Sequence, residues 1–421
     1  MVSRFDKLLR ETMLLPSLRE AHSVRERDVE ILVGADADRV LVRSAVALAL
    51  RCFDGGVTLQ FTSAANTGLL RDAEEEAASY GKRDRISEFK SPSPRAIRLG
   101  LSCLNPGGVV ADASGWLAGV NRIFPSRLPP AAPAAAFAVA CAFGKVFASL
   151  QGAHATVIEE EWTLSLLDLD ESGANENPPL TLDLGRIILL GAGAIGSAFA
   201  FILRLSGWGG RLTVVDKETY EELNHETTFL ISRSDAMSQR PKALTISSLA
   251  RREGLCSDFL REEIDEGSAL LSERADAFVC AVDNAETRRC LDRVNVATLL
   301  NAGVGGSRED SGHVLWTRHD VGEVVLSSVY REREDVPETR DSSADLPTEV
   351  ASEPCSRLPY ESVALAAPFI ALAAAALLTA GVAHQAMGRK PNVNFLKLDL
   401  LALQSKYVRE YRRNSSPTES T

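Results

Sequence analysis

No two of the seven cysteines, at positions 52, 103, 141, 256, 280, 290 and 355, form a C-x-x-C pair. That excludes the common structural zinc spacings and fits free thiols in a reducing, cytoplasmic compartment. The six histidines show no metal-ligand spacing either. Positive charge is in short supply: 46 basic residues face 57 acidic ones, a net charge of −11. No basic stripe is present to hold nucleic acid. The N-terminus carries Arg4, Lys7 and Arg10 but no long apolar run, so it does not read as a secretory signal. The stretch 363–387 is nearly uncharged and long enough to cross a bilayer. It is dominated by alanine and contains Pro368, Thr379, His384 and Gln385, so it reads as a buried helix and no membrane partner is expected. A chain of 421 residues leaves room for two or three domains.

The strongest motif is Ile188-Leu189-Leu190-Gly191-Ala192-Gly193-Ala194-Ile195-Gly196, followed by Leu212-Thr213-Val214-Val215-Asp216. The order is apolar strand, glycine loop, helix, second strand and acid. The spacing is G-x-G-x-x-G, and Asp216 lies 20 residues past Gly196. This layout binds an adenine nucleotide. Gly191 permits the tight turn, Gly193 lets backbone approach a phosphate, and Gly196 lets helix and strand pack closely. The helix N-terminus, opening at Ala194, offers unpaired N–H groups to phosphate oxygens. Asp216 is placed to accept ribose hydroxyls. The motif alone does not separate NAD from ATP.

The chain also repeats itself. Ile31-Leu32-Val33-Gly34 with Gly55-Gly56-Val57-Thr58-Leu59 echoes Ile188-Leu189-Leu190-Gly191 with Gly209-Gly210-Arg211-Leu212-Thr213. Ala131-Ala132-Pro133 opens an alanine-rich helix closing at Gly152, and Ala366-Ala367-Pro368 opens another closing at Gly388. Two matches in the same order point to duplication. The first loop reads Gly34-Ala35-Asp36-Ala37-Asp38, which places carboxylates where phosphate would sit. Like charges repel there. The first copy is therefore expected to bind no nucleotide and to pack on the second as a pseudo-subunit.

The expected plan is an α/β protein with a Rossmann-like, doubly wound, mostly parallel sheet in two copies. Residues 1–155 form a shortened, degenerate adenylation-like copy and 156–182 a linker, marked by the Pro-rich run 175–179. Residues 183–413 form the active copy, and 414–421 a disordered tail. Strands are expected near 187–191, 211–216, 257–263, 276–282 and 297–301, with helices between. Two antiparallel additions are expected at 312–317 and 323–328.

Further residues separate ATP from NAD. After Asp216 come Tyr220-Glu221-Glu222-Leu223-Asn224-His225-Glu226-Thr227-Thr228-Phe229-Leu230, then Ser234-Asp235, then Arg240-Pro241-Lys242. Phe278-Val279-Cys280-Ala281-Val282-Asp283-Asn284 follows, and then Arg288. Over about residues 185–390 this series resembles the ubiquitin-activating and ThiF-like superfamily, whose pattern joins the glycine loop to an asparagine-centred run, a nearby lysine and a "D-N" after an apolar strand. The resemblance implies that ATP and Mg²⁺ activate the C-terminal carboxylate of a small ubiquitin-like protein. Lys242 would be the cation near the phosphates, Asp283 the Mg²⁺ ligand, Asp216 the ribose ligand and Asn224 a sugar or phosphate contact. The plain alternatives are that Lys242 is a solvated helix-start lysine and that Asp283 caps the next helix. The family's arginine after the asparagine is Thr227 here. Arg233 or Arg240 could replace it. So could Lys7 or Arg10, because Arg4-Phe5-Asp6-Lys7-Leu8-Leu9-Arg10 resembles the family's N-terminal helix that reaches ATP across a dimer; an ordinary amphipathic helix is the plain alternative.

Many members of that superfamily pass the activated carboxylate to a cysteine, which must be reachable. Cys280 lies in an apolar strand, Cys290 in a helix, Cys256 before a strand, and Cys52, Cys103 and Cys141 in the degenerate copy. Cys355 lies in a polar segment without hydrophobic period and just before the Pro368 helix. The segment 331–362 therefore reads as a mobile crossover loop, and in the family such a loop carries the catalytic cysteine. Acids around Cys355 raise a thiol pKa, with Arg357 as the adjacent cation.

Four readings follow. The first is a ubiquitin-like-protein activating enzyme handing its cargo to a separate conjugating enzyme, since no such domain is visible in the chain. The second is an adenylating enzyme without a thioester step, acting on a peptide or small substrate. The third is an NAD-dependent oxidoreductase, which leaves Asn224, Lys242 and Asp283 without a role. The fourth is a nucleotide-binding scaffold. Further association into a homodimer is left open.

Overall fold

The computed structural model describes residues 18–66, 68–88, 95–125, 127–150, 160–171, 173–252, 255–283, 285–291, 294, 296–304, 312–320, 367–403 and 408–409. Lys7, Arg10, Cys355, the expected strand at 323–328, the loop 331–362 and the tail 414–421 lie outside them.

The N-terminal half runs α1 (Leu18–Arg25), β1 (Val29–Val33), α2 (Arg39–Cys52), β2 (Val57–Phe61), α3 (Gly68–Ser79), β3 (Ile86–Glu88), β4 (Ile97–Leu101), β5 (Val109–Ser114), β6 (Leu117–Val120), α4 (Ala132–Leu150) and β7 (Trp162–Ser165). The C-terminal half runs β8 (Asp183–Leu190), α5 (Ala194–Ser206), β9 (Gly209–Val215), α6 (Arg233–Met237), α7 (Lys242–Arg252), β10 (Cys256–Leu260), β11 (Ala275–Cys280), α8 (Ala285–Cys290), β12 (Val296–Val304), β13 (His313–Asp320), α9 (Pro368–Ala386), β14 (Phe395–Asp399) and β15 (Val408–Arg409).

Each half forms one sheet, and the two sheets share a topology. The first has the order β3-β2-β1-β4-β5-β6-β7 and the second β10-β9-β8-β11-β12-β13-β14-β15. In both, the first five strands are parallel and the following ones antiparallel. The repeat seen in the sequence is thus a repeat of structure. The central strand β8 is buried on both faces over Ile187–Leu190, which is why it reads there as an isoleucine and leucine run, while β1 buries Val29, Ile31 and Val33 on one face.

The two alanine-rich helices join the halves. α4 packs on β5 and β6, α9 packs on β12 and β13, and the two helices lie against each other and against α5. Both are long and apolar enough to cross a membrane, yet both are buried inside the protein. A helix that is apolar all round needs a covered environment, and its small side chains allow close approach. At Gly144 of α4, a Cβ would stand 2.4 Å from the Leu400 carbonyl. Rings also meet across the halves: Phe147 with Phe369 at 5.5 Å, Trp116 with Trp208 at 6.1 Å and Trp116 with His384 at 5.9 Å. One continuous apolar core runs through both halves.

Two features differ from the sequence expectation. β7, residues Trp162–Ser165, pairs with β6 and closes the first sheet inside the stretch 156–182 expected as linker. Four residues are too few to show a strand period. β14 also went unmarked in the sequence and extends the second sheet through β13. The run 175–179 bridges the halves: the Asn175 Oδ1 accepts the Trp116 N–H at 2.8 Å, and the Pro179 carbonyl accepts the Trp208 indole N–H at 3.2 Å.

Candidate nucleotide site

Loops after β8, β9 and β11 meet at the carboxyl end of the second sheet. β8 has β9 on one side and β11 on the other, so the strand order reverses there and opens a crevice, the usual ligand position in such sheets.

The glycine loop follows β8. Gly191 has φ of +91° and donates its N–H to the Val215 carbonyl at 2.9 Å. A Cβ on Gly196 would fall 1.9 Å from the Gly191 carbonyl oxygen, so only glycine lets α5 start there. Gly193, the residue before α5, has no side-chain cap, and a Cβ there would meet nothing within 4 Å. The N-terminus of α5 thus opens with no side-chain cap and with space beside Gly193, as an anion-binding helix terminus requires.

Asp216 follows β9 and is occupied by backbone. One carboxylate oxygen accepts the Ala192 N–H at 2.7 Å and the other the Glu218 N–H at 2.8 Å. Burial raises its pKa despite those two bonds. Asp216 thus fixes the glycine loop while lying beside it. Lys242 opens α7 and is nearly buried. Its N–H donates to the Glu218 carbonyl at 2.9 Å, and its ammonium pairs with the Glu218 carboxylate. A bridge between Thr219 and Pro241 brings the lysine to this loop. Glu218 was not singled out in the sequence; an acid two residues after Asp216 was the available signal.

Asn224 is buried in a short 3₁₀ turn, and its Oδ1 accepts the Glu221 N–H at 2.9 Å. Its side chain shapes the turn. Farther along, the Phe229 N–H donates to the Ser197 hydroxyl of α5 at 2.9 Å, which ties this run to the glycine-loop helix. Arg233 is exposed and paired with Glu222, and Arg240 is exposed. Asp283 is exposed beyond β11. The Ala281 N–H donates to the Leu190 carbonyl at 2.8 Å, and Ala281 is also what a Cβ on Gly191 would strike, so this loop lies directly beside the glycine loop. Arg288 donates to the Val282 carbonyl at 2.6 Å and steadies the backbone before Asp283. No cluster of metal-ligating side chains occurs among the described residues, which leaves Asp283 a single carboxylate. Of the thiols, Cys280 and Cys290 are buried, and burial raises the Cys280 pKa; Cys256 is exposed at the start of β10.

The N-terminal half has a different arrangement at the matching place. Gly34 keeps the close approach: a Cβ would stand 2.5 Å from the Ser102 carbonyl. The N-terminus of α2, however, is filled by the chain itself, because the Asp38 carboxylate accepts the Leu41 N–H at 2.8 Å. Burial raises the Asp38 pKa to about 6. Arg127 bridges Asp36 at 3.2 Å and Asp112 at 3.0 Å. By strand register, Thr62 stands where Asp216 stands, and Leu104 where Asp283 stands.

Comparison with known proteins finds two domain models along the chain. Residues 30–166 match the BilD N-terminal domain and residues 185–389 the BilD C-terminal domain. The bacterial E1-like protein BilD of Collimonas sp. (strain OK412) is 27% identical over 209 residues. The two BilD domain models thus follow one another along the chain in the order of its two sheets. The Collimonas match takes in 46% of this chain and 44% of that protein, so the shared stretch spans less than half of the relative. Among solved structures, E. coli MccB with ATP overlaps 72% of this chain and 95% of its own, at 14% identity and a TM-score of 0.40. MccB with MccA-N7isoASN overlaps 52% and 61%, at 18% identity and 0.38. E. coli TcdA, a tRNA N6-threonylcarbamoyladenosine dehydratase, in complex with ATP overlaps 49% and 86%, at 15% identity and 0.31.

Proposed function

We propose that this chain is an ATP-dependent activating enzyme for a ubiquitin-like protein. A C-terminal carboxylate oxygen of that protein attacks the α-phosphorus of ATP, the bond to the β-phosphate bridging oxygen breaks, and pyrophosphate leaves. What supports the reading is that the uncapped turn at Gly193, Asp216 beside it, Lys242 held on Glu218, and Asp283 all follow the carboxyl end of the second sheet. The uncapped N-terminus of α5 accepts phosphate. Lys242 leaves Glu218 to meet the charge that grows on phosphate oxygens. Mg²⁺, held by Asp283 together with the phosphates, would neutralise and orient them.

In the second step the thiolate of Cys355 attacks the acyl carbon of the adenylate and AMP leaves, giving a thioester for a separate conjugating enzyme. The N-terminal half acts as an inactive partner. The filled α2 terminus, Thr62 and Leu104 support that role, because each removes a phosphate, ribose or metal contact. A cytoplasmic, reducing setting suits a free catalytic thiol.

Incubation with ATP and the ubiquitin-like protein, followed by non-reducing electrophoresis, tests the second step. The wild-type chain forms a thiol-sensitive conjugate and Cys355→Ala forms none while still making the adenylate. A conjugate on Cys355→Ala overturns the cysteine assignment. Adenylation with no conjugate on the wild type favours an enzyme acting on a peptide or small substrate without a thioester.

A further inference from the structure

We infer that Arg51, a residue of the N-terminal half, is a positioning residue for the nucleotide site of the C-terminal half. It holds the segment from Asn224 to Ile231 in place from across the interface. The nucleotide part of this inference rests on the function proposed above.

Arg51 closes α2 and is 4% exposed. Its guanidinium reaches out of its own half: one amino group donates to the His225 carbonyl and the other to the Ile231 carbonyl at 3.3 Å. The group lies over the Tyr80 ring at 4.3 Å and the Phe229 ring at 5.2 Å. A planar cation that donates from two corners and lies over two aromatic rings has its orientation fixed. The two accepting carbonyls bracket the run that carries Thr227, Thr228 and Phe229.

That run is linked onward to the phosphate-binding end of α5. The Phe229 N–H donates to the Ser197 hydroxyl at 2.9 Å, and the Ser197 N–H donates to the Gly193 carbonyl at 2.9 Å. The path is therefore Arg51, the 225–231 backbone, Ser197, Gly193. At the other end of α5, Arg204 pairs with the buried Glu76 of α3, and Glu76 also accepts the Tyr80 hydroxyl at 2.8 Å. Tyr80, whose ring lies under the Arg51 guanidinium, thus joins both grips.

Packing alone does not call for this arrangement. A buried charge is costly to desolvate, and an apolar side chain of similar size fills such a space at less cost. What an apolar residue cannot do is fix two carbonyls six positions apart in sequence order and thereby set the path of the loop between them. Lysine cannot either, since its ammonium is a point donor without a planar fork.

The test uses the full chain as wild type, Arg51→Lys and Arg51→Met, well below the melting transition of each. Two quantities are read: hydrogen exchange at the Thr227, Thr228 and Phe229 amides, and Mg–ATP affinity by calorimetry. Both variants are expected to speed exchange at those amides at least tenfold, leave exchange in β1 and β8 unchanged, and weaken ATP binding about tenfold. Arg51→Met tests the cation itself, because it restores volume without donors. Wild-type exchange rates in both variants overturn the clamp even if melting falls, since a residue serving stability alone lowers melting without loosening that run. Loosened amides with unchanged ATP affinity overturn the link to the nucleotide. A wild-type chain that binds no Mg–ATP overturns the proposed function, while the exchange rates still decide on the clamp.

Discussion

The Glu76 carboxylate, fully buried in the N-terminal half, pairs with the Arg204 guanidinium at the far end of the glycine-loop helix. Arg43 stands 3.7 Å from the same carboxylate, and the Tyr80 hydroxyl donates to it. Two cations and a phenol thus meet one buried anion between the halves. Removing one member leaves buried charge uncompensated. Glu76→Ala is expected to lower stability by about 3–5 kcal/mol, read from denaturant unfolding as a single cooperative transition because the halves share a core. A loss below about 1 kcal/mol, the size expected of an exposed pair, would contradict this.

The glycines separate folding from binding. A methyl group on Gly196 collides with the Gly191 carbonyl, so Gly196→Ala must push α5 from its strand and lower the melting temperature. A methyl group on Gly193 meets open space. Gly193→Ala is expected to melt like wild type and to bind ATP more than tenfold more weakly, since the methyl occupies the phosphate position. Equal ATP affinity in Gly193→Ala would show that phosphate does not approach there.

His384 makes stability depend on pH. The ring is buried beside Trp116, and burial lowers its pKa from 6.5 to about 3, with Arg318 and Arg389 acting in the same direction. The folded protein holds His384 neutral while the unfolded chain takes up a proton. Its contribution is fully present above the unfolded pKa and is lost as pH falls from 6.5 toward 3. The loss by pH 5 is about 2 kcal/mol. Urea midpoints from pH 8 to pH 5 check this against His384→Phe, whose stability should fall less steeply over that window. Parallel curves for the two chains would contradict it.

The sequence made the glycine loop legible because its geometry is local. The left-handed φ at Gly191 and the contact at Gly196 lie within one turn, so they are written as spacing. The duplication was legible for a related reason: the end of β8 and both alanine-rich helices are buried all round, which leaves continuous apolar runs, and β1 repeats the apolar stretch before its own glycine. What the sequence hid depends on partners distant along the chain. Glu218 meets Lys242 only because a bridge folds the loop back. Arg51 reaches His225 and Ile231 more than 170 positions away. Asp216 and Asn224 read from the sequence as ligand contacts, and in the structure their carboxylate and amide oxygens bond backbone N–H groups.

The central claim is carboxylate adenylation at the crevice beside Gly193. ATP–pyrophosphate exchange tests it most directly, with the purified chain, a ubiquitin-like protein and Mg²⁺, each omitted in turn, alongside Lys242→Ala and Asp283→Ala. The account predicts exchange that requires all three components, falls at least a hundredfold in Lys242→Ala and Asp283→Ala, and persists in Cys355→Ala. ATP binding without exchange, or exchange that survives loss of Lys242 and Asp283, would contradict it.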